Sequence, residues 1–455
     1  MFLPGIRTIS NILIFVFFGI SLLAGIFFWK LTTGPISLTF LTPYFEKVLN
    51  ETLNNKLELE LNETVLVWGG WENNIDIRLR GTKAIDVMGK IVAQIPELAV
   101  TLSPIALVKG KLAPQSISVF DLRLNILRNS SGKIEIGPVN YQKESDGLIS
   151  TELNLFKGLI GDLLVKQDPA KPLSHLKYVN IIRGNVFFDD QKLDVKWNAP
   201  DTDIRLSRER DALSIIADLM LKSDNATIQE PTVINLVGNY NTNTKKAKIT
   251  LGFNNLNPRN FALFSQKLKP LKFFDLPLNG TIDAVILKNG EVPGFDFNFE
   301  GEAGKFGIDK NINISTVVKS TKFRGNFNQN TGILRVDNFQ INVGDDGILK
   351  IRKPITHDWK VRQLSLIGSY YLNYGLIEID AFQIKDKDST FDTTATIQEF
   401  DDEFSFEIGV KASNLLVNNM SDVWPESWHR VIRTWLVKNL TDGVIDGARA
   451  RFSGT

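Results

Sequence analysis

The residue types that carry chemistry are sparse and scattered in this chain. Cysteine is absent from its 455 residues, so no thiolate nucleophile, thiolate metal site or disulfide framework is available. The three histidines, His175, His357 and His429, lie far apart and in no HExxH-type spacing. Asp386, Asp388 and Asp392 are spaced somewhat like calcium ligands, but the loop lacks the central glycine and the closing glutamate. A solvated loop is expected there. Asp189 with Asp190, and Asp201 with Asp203, have the pairing a general acid and base would need. They sit between strand-like stretches and read as turn residues. Gly301 to Lys305 (GEAGK) lacks the spacing and the following hydroxyl of a phosphate loop and reads as a hairpin turn. No nucleophile elbow occurs. The expectation is a protein that is not an enzyme and uses neither metal nor cofactor.

Charge narrows the class further. Lys plus Arg number 52 and Asp plus Glu 51, without a run of like sign. A nucleic-acid partner needs a basic surface to neutralise phosphates, and a headgroup-binding polybasic segment needs a cluster. Neither is present. Phe (30) far outnumbers Tyr (7) and Trp (8), which favours dry apolar surface without polar handles.

The elements that position these residues begin with an apolar run. Ile12, Leu13, Ile14, Phe15, Val16, Phe17, Phe18, Ile20, Leu22, Leu23, Ile26, Phe27, Phe28 and Trp29 are interrupted by Gly19, Ser21, Ala24 and Gly25 alone. At about 1.5 Å per residue the run spans roughly 27 Å, close to the hydrocarbon thickness of a bilayer. Trp29 and Lys30 stand where an aromatic ring and a snorkelling cation belong. A cleaved signal peptide would have a shorter core followed by a small-x-small site. The expectation is an uncleaved membrane anchor. The short tail before it and the long domain after it have the usual geometry of a signal anchor, which places the domain outside the cytoplasm.

Beyond residue 34 the period is two. Leu57, Leu59 and Leu61 alternate with polar residues, as do Ile75, Ile77 and Leu79, then Leu122, Leu124 and Ile126. Phe295, Phe297 and Phe299, and then Phe404, Phe406 and Ile408, repeat the pattern. Strict alternation means strands of an antiparallel sheet that is apolar on one side. Ser131-Gly132, Asn279-Gly280, Asn289-Gly290 and Asp346-Gly347 read as turns. Short helices are expected over Pro43–Asn54, Pro258–Leu268, Trp424–Asn439 and Leu153–Lys166. In the third, Trp428, Ile432 and Trp435 form a stripe expected to be core. Trp68 and Trp71 bracket Gly69-Gly70 and read as a hairpin with packed aromatics.

An internal repeat is visible. Gly325 to Ile341 (GNFNQNTGILRVDNFQI) and Gly368 to Ile384 (GSYYLNYGLIEIDAFQI) share seven residues at a constant offset of 43, and a weaker copy starts at Gly238-Asn239-Tyr240. Each unit reads strand, turn, strand. In the second strand the apolar positions change parity, from Leu334 and Val336 to Phe339 and Ile341, and from Ile377 and Ile379 to Phe382 and Ile384. A slip of one residue reads as a β-bulge near Asp337 and again near Asp380. Repeated bulges twist and curve a sheet. The expected fold is mainly β: an elongated, curved antiparallel sheet of hairpin repeats, with one N-terminal transmembrane helix and a few short helices. A plain β-sandwich competes, but one phase logic across distant hairpins favours a continuous sheet. The chain is expected to divide at 1–33, 34–225 and 226–455. Phe253, Phe297, Phe299, Leu334, Val336, Ile377, Ile379, Phe404, Phe406 and Ile408 are the alternating residues expected to share one apolar face.

With its anchor, the chain carries Gly34-Pro35-Ile36-Ser37, Leu41-Thr42-Pro43-Tyr44, Leu122-Arg123-Leu124-Asn125-Ile126 and Gly132-Lys133-Ile134. Further on stand Val179 to Val186 (VNIIRGNV), Asp189, Trp435-Leu436, Asn439-Leu440, Gly443 and Gly447-Ala448. In this order it resembles the AsmA-like superfamily, most closely the YhdP-like branch, over essentially its whole length. The resemblance rests on loose hydrophobic patterns. It implies an inner-membrane anchor in a bacterial envelope, a periplasmic β-groove lined by apolar residues, and phospholipid acyl chains as cargo carried toward the outer membrane. It also implies possible partners among other envelope proteins. Members of this superfamily, with TamB and YhdP among them, are similar to bridge-like lipid transfer proteins and are generally longer. The chain is therefore expected to be the N-terminal part of a longer protein. The ten alternating residues become the candidate lipid lining. A periplasmic scaffold assisting outer-membrane protein assembly or envelope integrity is the alternative.

Overall fold

The computed structural model describes residues 4–52, 57–68, 75–86, 91–110, 113–130, 134–138, 172–191, 194–221, 232–262, 266–289, 291–308, 314–350, 358–400, 403–420, 424 and 429–454. The chain is mainly β and its pairings are almost all antiparallel. It forms two units. The first comprises Met1–Ile126, Glu135–Val186 and Asp201–Leu213, and the second Leu127–Ile134, Phe187–Pro200 and Ser214–Thr455.

In the first unit, α1 (Pro4–Thr33) is a helix of 30 residues whose stretch Ile14–Thr33 is long and apolar enough to cross a membrane. Its apolar side chains from Ile14 to Trp29 are exposed, while Leu31 is buried. Ile12 and Leu13 lie within the same helix. The chain then enters β1 (Ile36–Ser37), α2 (Thr42–Thr52), β2 (Leu57–Glu60), β3 (Glu63–Trp68), β4 (Ile75–Asp86) and β5 (Ile91–Leu102). The short α3 (Pro104–Val108), β6 (Pro114–Phe120), β7 (Arg123–Arg128) and β8 (Ile134–Pro138) follow. The register β3–β4–β5–β6–β9, with β9 (Tyr178–Asp190) parallel to β6, aligns Leu66, Ile77, Val100, Ile117 and Val179 in one row. Thr64, Leu79, Leu98, Val119 and Ile181 form the next. These rows are the apolar face of the sheet, and nearly all of their residues are buried. Thr42 of α2 shares a 2.8 Å hydrogen bond with Thr64, so α2 packs on that face. The helix expected from Pro43 is thus present. Trp68 ends β3 paired with Ile75 of β4, and its ring meets Phe28 of α1 edge-to-face at 5.9 Å. Trp71 lies outside the described residues.

Strands β9, β10 (Val195–Arg208) and β11 (Ala212–Leu221) contribute residues to both units. The second unit is a meander in chain order. It runs through β12 (Thr232–Asn241), β13 (Lys246–Leu256), β15 (Leu278–Ile286), β16 (Gly294–Gly301), β19 (Ser320–Asn328) and β20 (Ile333–Asn342). It continues through β23 (Gln363–Tyr371), β24 (Leu376–Lys385), β25 (Thr390–Phe400), β26 (Glu403–Leu416) and β27 (Val444–Gly454). One end of the meander has tight hairpins. At the other, long connections supply β14 (Phe274–Asp275), β17 (Gly304–Ile308), β18 (Ile314–Val318), β21 (Ile348–Lys350) and β22 (Asp358–Lys360). These five form a second small sheet. It packs on the large one through Phe306, Val318, Leu349 and Trp359 against Ile341, Leu364, Phe391, Ala412 and Leu415.

The two repeats are neighbouring hairpins of this one sheet, β19–β20 and β23–β24, joined by the β20–β23 pairing. Gly325 faces Val336 and Gly368 faces Ile379, while Phe323 faces Phe339 and Leu366 faces Phe382. The register slips between Val336 and Phe339 and between Ile379 and Phe382, so the bulges fall at Asp337 and Asp380. Each bulge keeps the apolar residues on one side although their parity changes. In the weaker copy Gly238 likewise faces Ile249.

The expected helix from Pro258 is one α-turn, α4 (Pro258–Phe261), with a 3-10 stretch over Gln266–Phe273. The helix expected from Trp424 is α5 (Arg430–Asn439). Its stripe is not core: Ile432 and Trp435 are exposed, because Arg433 and not the tryptophan faces inward, donating to the Trp424 carbonyl. Trp428 and the stretch Leu153–Lys166 lie outside the described residues.

Candidate functional site

Cross-strand partners in an antiparallel ladder point to the same side of the sheet, so register assigns every residue of the meander to a face. One row runs Leu251, Ile282, Phe297, Gly325, Val336, Gly368, Ile379, Ala395, Ile408, Phe452. A second runs Ile249, Ala284, Phe295, Phe327, Leu334, Tyr370, Ile377, Ile397, Phe406. A third contains Phe253, Gly280, Phe299, Phe323, Phe339, Leu366 and Phe382. Phe404 stands two residues before Phe406 and shares its face. All ten candidates therefore lie on one side.

The opposite side is predominantly polar, with Val237, Val285, Ile333, Ile367 and Leu376 among its apolar members. Thr250, Asp283, Asp296, Asn326, Arg335, Ser369, Glu378, Thr396 and Glu407 form the row between the first two. Within it Thr250 donates to Asp283 at 2.5 Å. Arg335 donates to Ser369 at 3.0 Å and to Asp380 at 2.5 Å, and lies 3.6 Å from Asp337. One guanidinium thus ties both bulges together, and its hydrogen bond to Asp380 raises its pKa above the ordinary arginine value. The Tyr371 hydroxyl donates to Glu378 at 2.8 Å, which raises the tyrosine pKa.

The ten candidates do not share one environment. Phe253 (8% exposed) and Phe297 (5%) are buried. The cause is a cluster of phenylalanine rings. Phe297 lies 4.7 Å from Phe323, 5.5 Å from Phe299 and 6.4 Å from Phe295, and Phe253 lies 5.2 Å from Phe299. A Cβ on Gly325 would come within 2.7 Å of the Phe297 ring, so the ring covers the glycine. At the tight-hairpin end of β24 and β26 the face is open: Ile377 is 38%, Phe406 37% and Phe404 56% exposed. Phe299, Leu334, Val336, Ile379 and Ile408 are intermediate.

Sequence alternation missed Phe323, Phe327, Tyr370 and Phe452 as members of this face. Gly325 and Gly368 interrupt the apolar alternation on β19 and β23, and only pairing with Val336 and Ile379 shows that these glycines belong to it.

The groups that resembled chemical sites have structural partners. Asp392 accepts from Gln383 at 2.7 Å. Asp189 pairs with Lys196 at 3.3 Å and Asp190 with Arg128. Asp203 accepts from the Arg183 backbone at 2.9 Å. The sequence GEAGK forms the turn from β16 into β17. Among the described residues, no cluster of three or more His, Asp or Glu side chains is placed to hold a metal ion. No protein-family model, curated protein or solved structure matches this chain.

Proposed function

We propose that this protein is a membrane-anchored lipid carrier of the bacterial envelope, and that the apolar face of the second unit is its lipid path. The observation that carries the reading is that face itself. One side of the meander is lined by apolar residues from β13 to β27, the other is predominantly polar, and the second sheet covers the apolar side only toward the long-connection end. Exposed apolar surface of this extent marks a binding surface in a soluble domain. The occupant that best fits rows of aliphatic and phenyl groups, with Tyr370 as their one phenol, is a hydrocarbon chain. Exposing an acyl chain to water costs about 0.8 kcal/mol per CH₂, so a sixteen-carbon chain would face roughly 12 kcal/mol without cover. The helix Ile14–Thr33 would hold the domain at the membrane that supplies the lipid, with the bulk of the chain in the periplasm. No side chain is assigned a catalytic role.

The test uses the exposed part of the face. In Ile377→Asp and Phe406→Asp the carboxylate stays near water, so the domain should fold with a melting temperature close to that of the parent. Lipid recovered from the chain by photo-crosslinking should fall steeply in both. Unfolding of both variants together with absence of lipid adducts on the parent would mean a closed dry core and would reject the carrier.

A further inference from the structure

The end of the first unit's sheet that receives α1 carries a second apolar feature that the lipid path does not use. Residues Ile36 and Ser37 pair with Leu66 and Val65, so the chain leaving α1 arrives at the Trp68 end of β3. Trp68 pairs with Ile75, and Ile77 pairs with Val100, so the end of β5 lies at that same end of the sheet. Helix α3 starts two residues after β5, at Pro104. Register therefore puts α3 at the end of the unit where α1 joins it.

Helix α3 is built to face outward with apolar groups. Ala106 is fully buried and fixes its inner side. Ser103 caps the turn by accepting from the Ala106 backbone. Ile105 (64% exposed) and Val108 (90% exposed) are three residues apart and share the outer side, with Lys109 beside them and no carboxylate in the segment. Transfer of Ile105 and Val108 from water into an apolar phase would be favourable in proportion to the apolar area removed from water. The bilayer crossed by α1 is the apolar phase that reaches this end of the unit. Trp29 and Lys30 mark the interface level on α1, and Lys109 has the sign that suits anionic headgroups.

We infer that Ile105 and Val108 insert into the interfacial region of the same bilayer that α1 spans, giving the first unit a second membrane contact. This rests on the membrane-anchored reading above. One helix alone lets a domain swivel about its axis, whereas a second contact beside it fixes the sheet's orientation to the lipid surface.

The absence of cysteine makes the test direct. The full chain is reconstituted in vesicles of phosphatidylethanolamine and phosphatidylglycerol. Trp29→Cys, Ile105→Cys, Val108→Cys and Asn62→Cys each carry an environment-sensitive fluorophore, and lipids brominated high on the acyl chain act as quencher. Asn62 is exposed at the opposite end of β3. The expected result is quenching at positions 29, 105 and 108 and none at 62. Quenching at 29 without quenching at 105 and 108 would overturn the second contact and leave the anchor intact. A blue-shifted but unquenched signal at 105 and 108 would assign a protein cover and equally overturn it. Absence of quenching at 29 would remove the anchored reading itself, and this inference with it.

Discussion

Phe297 and Phe406 are alternating phenylalanines on the same face, and their surroundings separate them. Phe297 is enclosed by Phe295 and Phe299 of its own strand and Phe323 of β19, whereas Phe406 is more than a third exposed. Phe297→Ala should lower stability by about 3–5 kcal/mol, the range for truncating a buried ring. Phe406→Ala should cost only about 1–2 kcal/mol, because less apolar area leaves the protein interior. Urea midpoints at constant slope measure both, and the reverse order would refute the division into packed and open parts. Arg335→Ala should cost about 0.5–1 kcal/mol, as the pairs it makes to Asp337 and Asp380 are partly solvated. Asp275 supplies a pH dependence. Burial pushes its carboxyl up, but hydrogen bonds from Asn257 and Arg259 outweigh this and hold it below the ordinary aspartate range. A depressed folded pKa contributes stability that is present above the unfolded value and lost as pH falls through the folded one. Asp275→Asn should therefore flatten the acid limb of the stability curve. Alternation in the sequence placed Phe297 and Phe406 on one face. Their different burial was illegible, since it depends on glycines 280 and 325 lying beneath rings from neighbouring strands.

At the scale of elements, the bulge is the feature most fully legible beforehand, because a change of parity within one strand has few other causes. Its function in register can be tested by deletion. Removing Asp337 leaves Val336 facing Gly325 and Phe339 facing Phe323, so both halves of β20 keep their faces. Removing Asn326 from β19 instead turns one half of that strand over and sends Phe327 or Phe323 to the polar side. The Asp337 deletion should fold, and the Asn326 deletion should not, as read by circular dichroism and limited proteolysis. Equal loss in both would contradict the bulge. The second sheet escaped sequence reading for a physical reason. Its strands are two to five residues long and come from three separate connections, too short to display a period. Helix α5 was misread because amphipathicity reports two faces without saying which one packs; here Arg433 faces inward and Trp435 outward.

At the scale of the whole molecule, composition and the first thirty residues carry most of the reading. A helix with exposed Phe15, Phe17, Phe18 and Trp29 is suited to lipid rather than to a protein core. A reporter fused after residue 200 should be active only in its exported form, and cytoplasmic activity would reject the proposed topology. The central claim is that one face of the meander, and not the other, holds acyl chains. Ile377 and Glu378 are successive residues on opposite faces, as are Phe406 and Glu407. The most direct measurement places a photoreactive amino acid at each of these four positions in the full chain in cells. After irradiation, phospholipid adducts are identified by mass spectrometry. Adducts at 377 and 406, with little or none at 378 and 407, are the predicted result; equal labelling of both faces, or no lipid at 377 and 406, would contradict it.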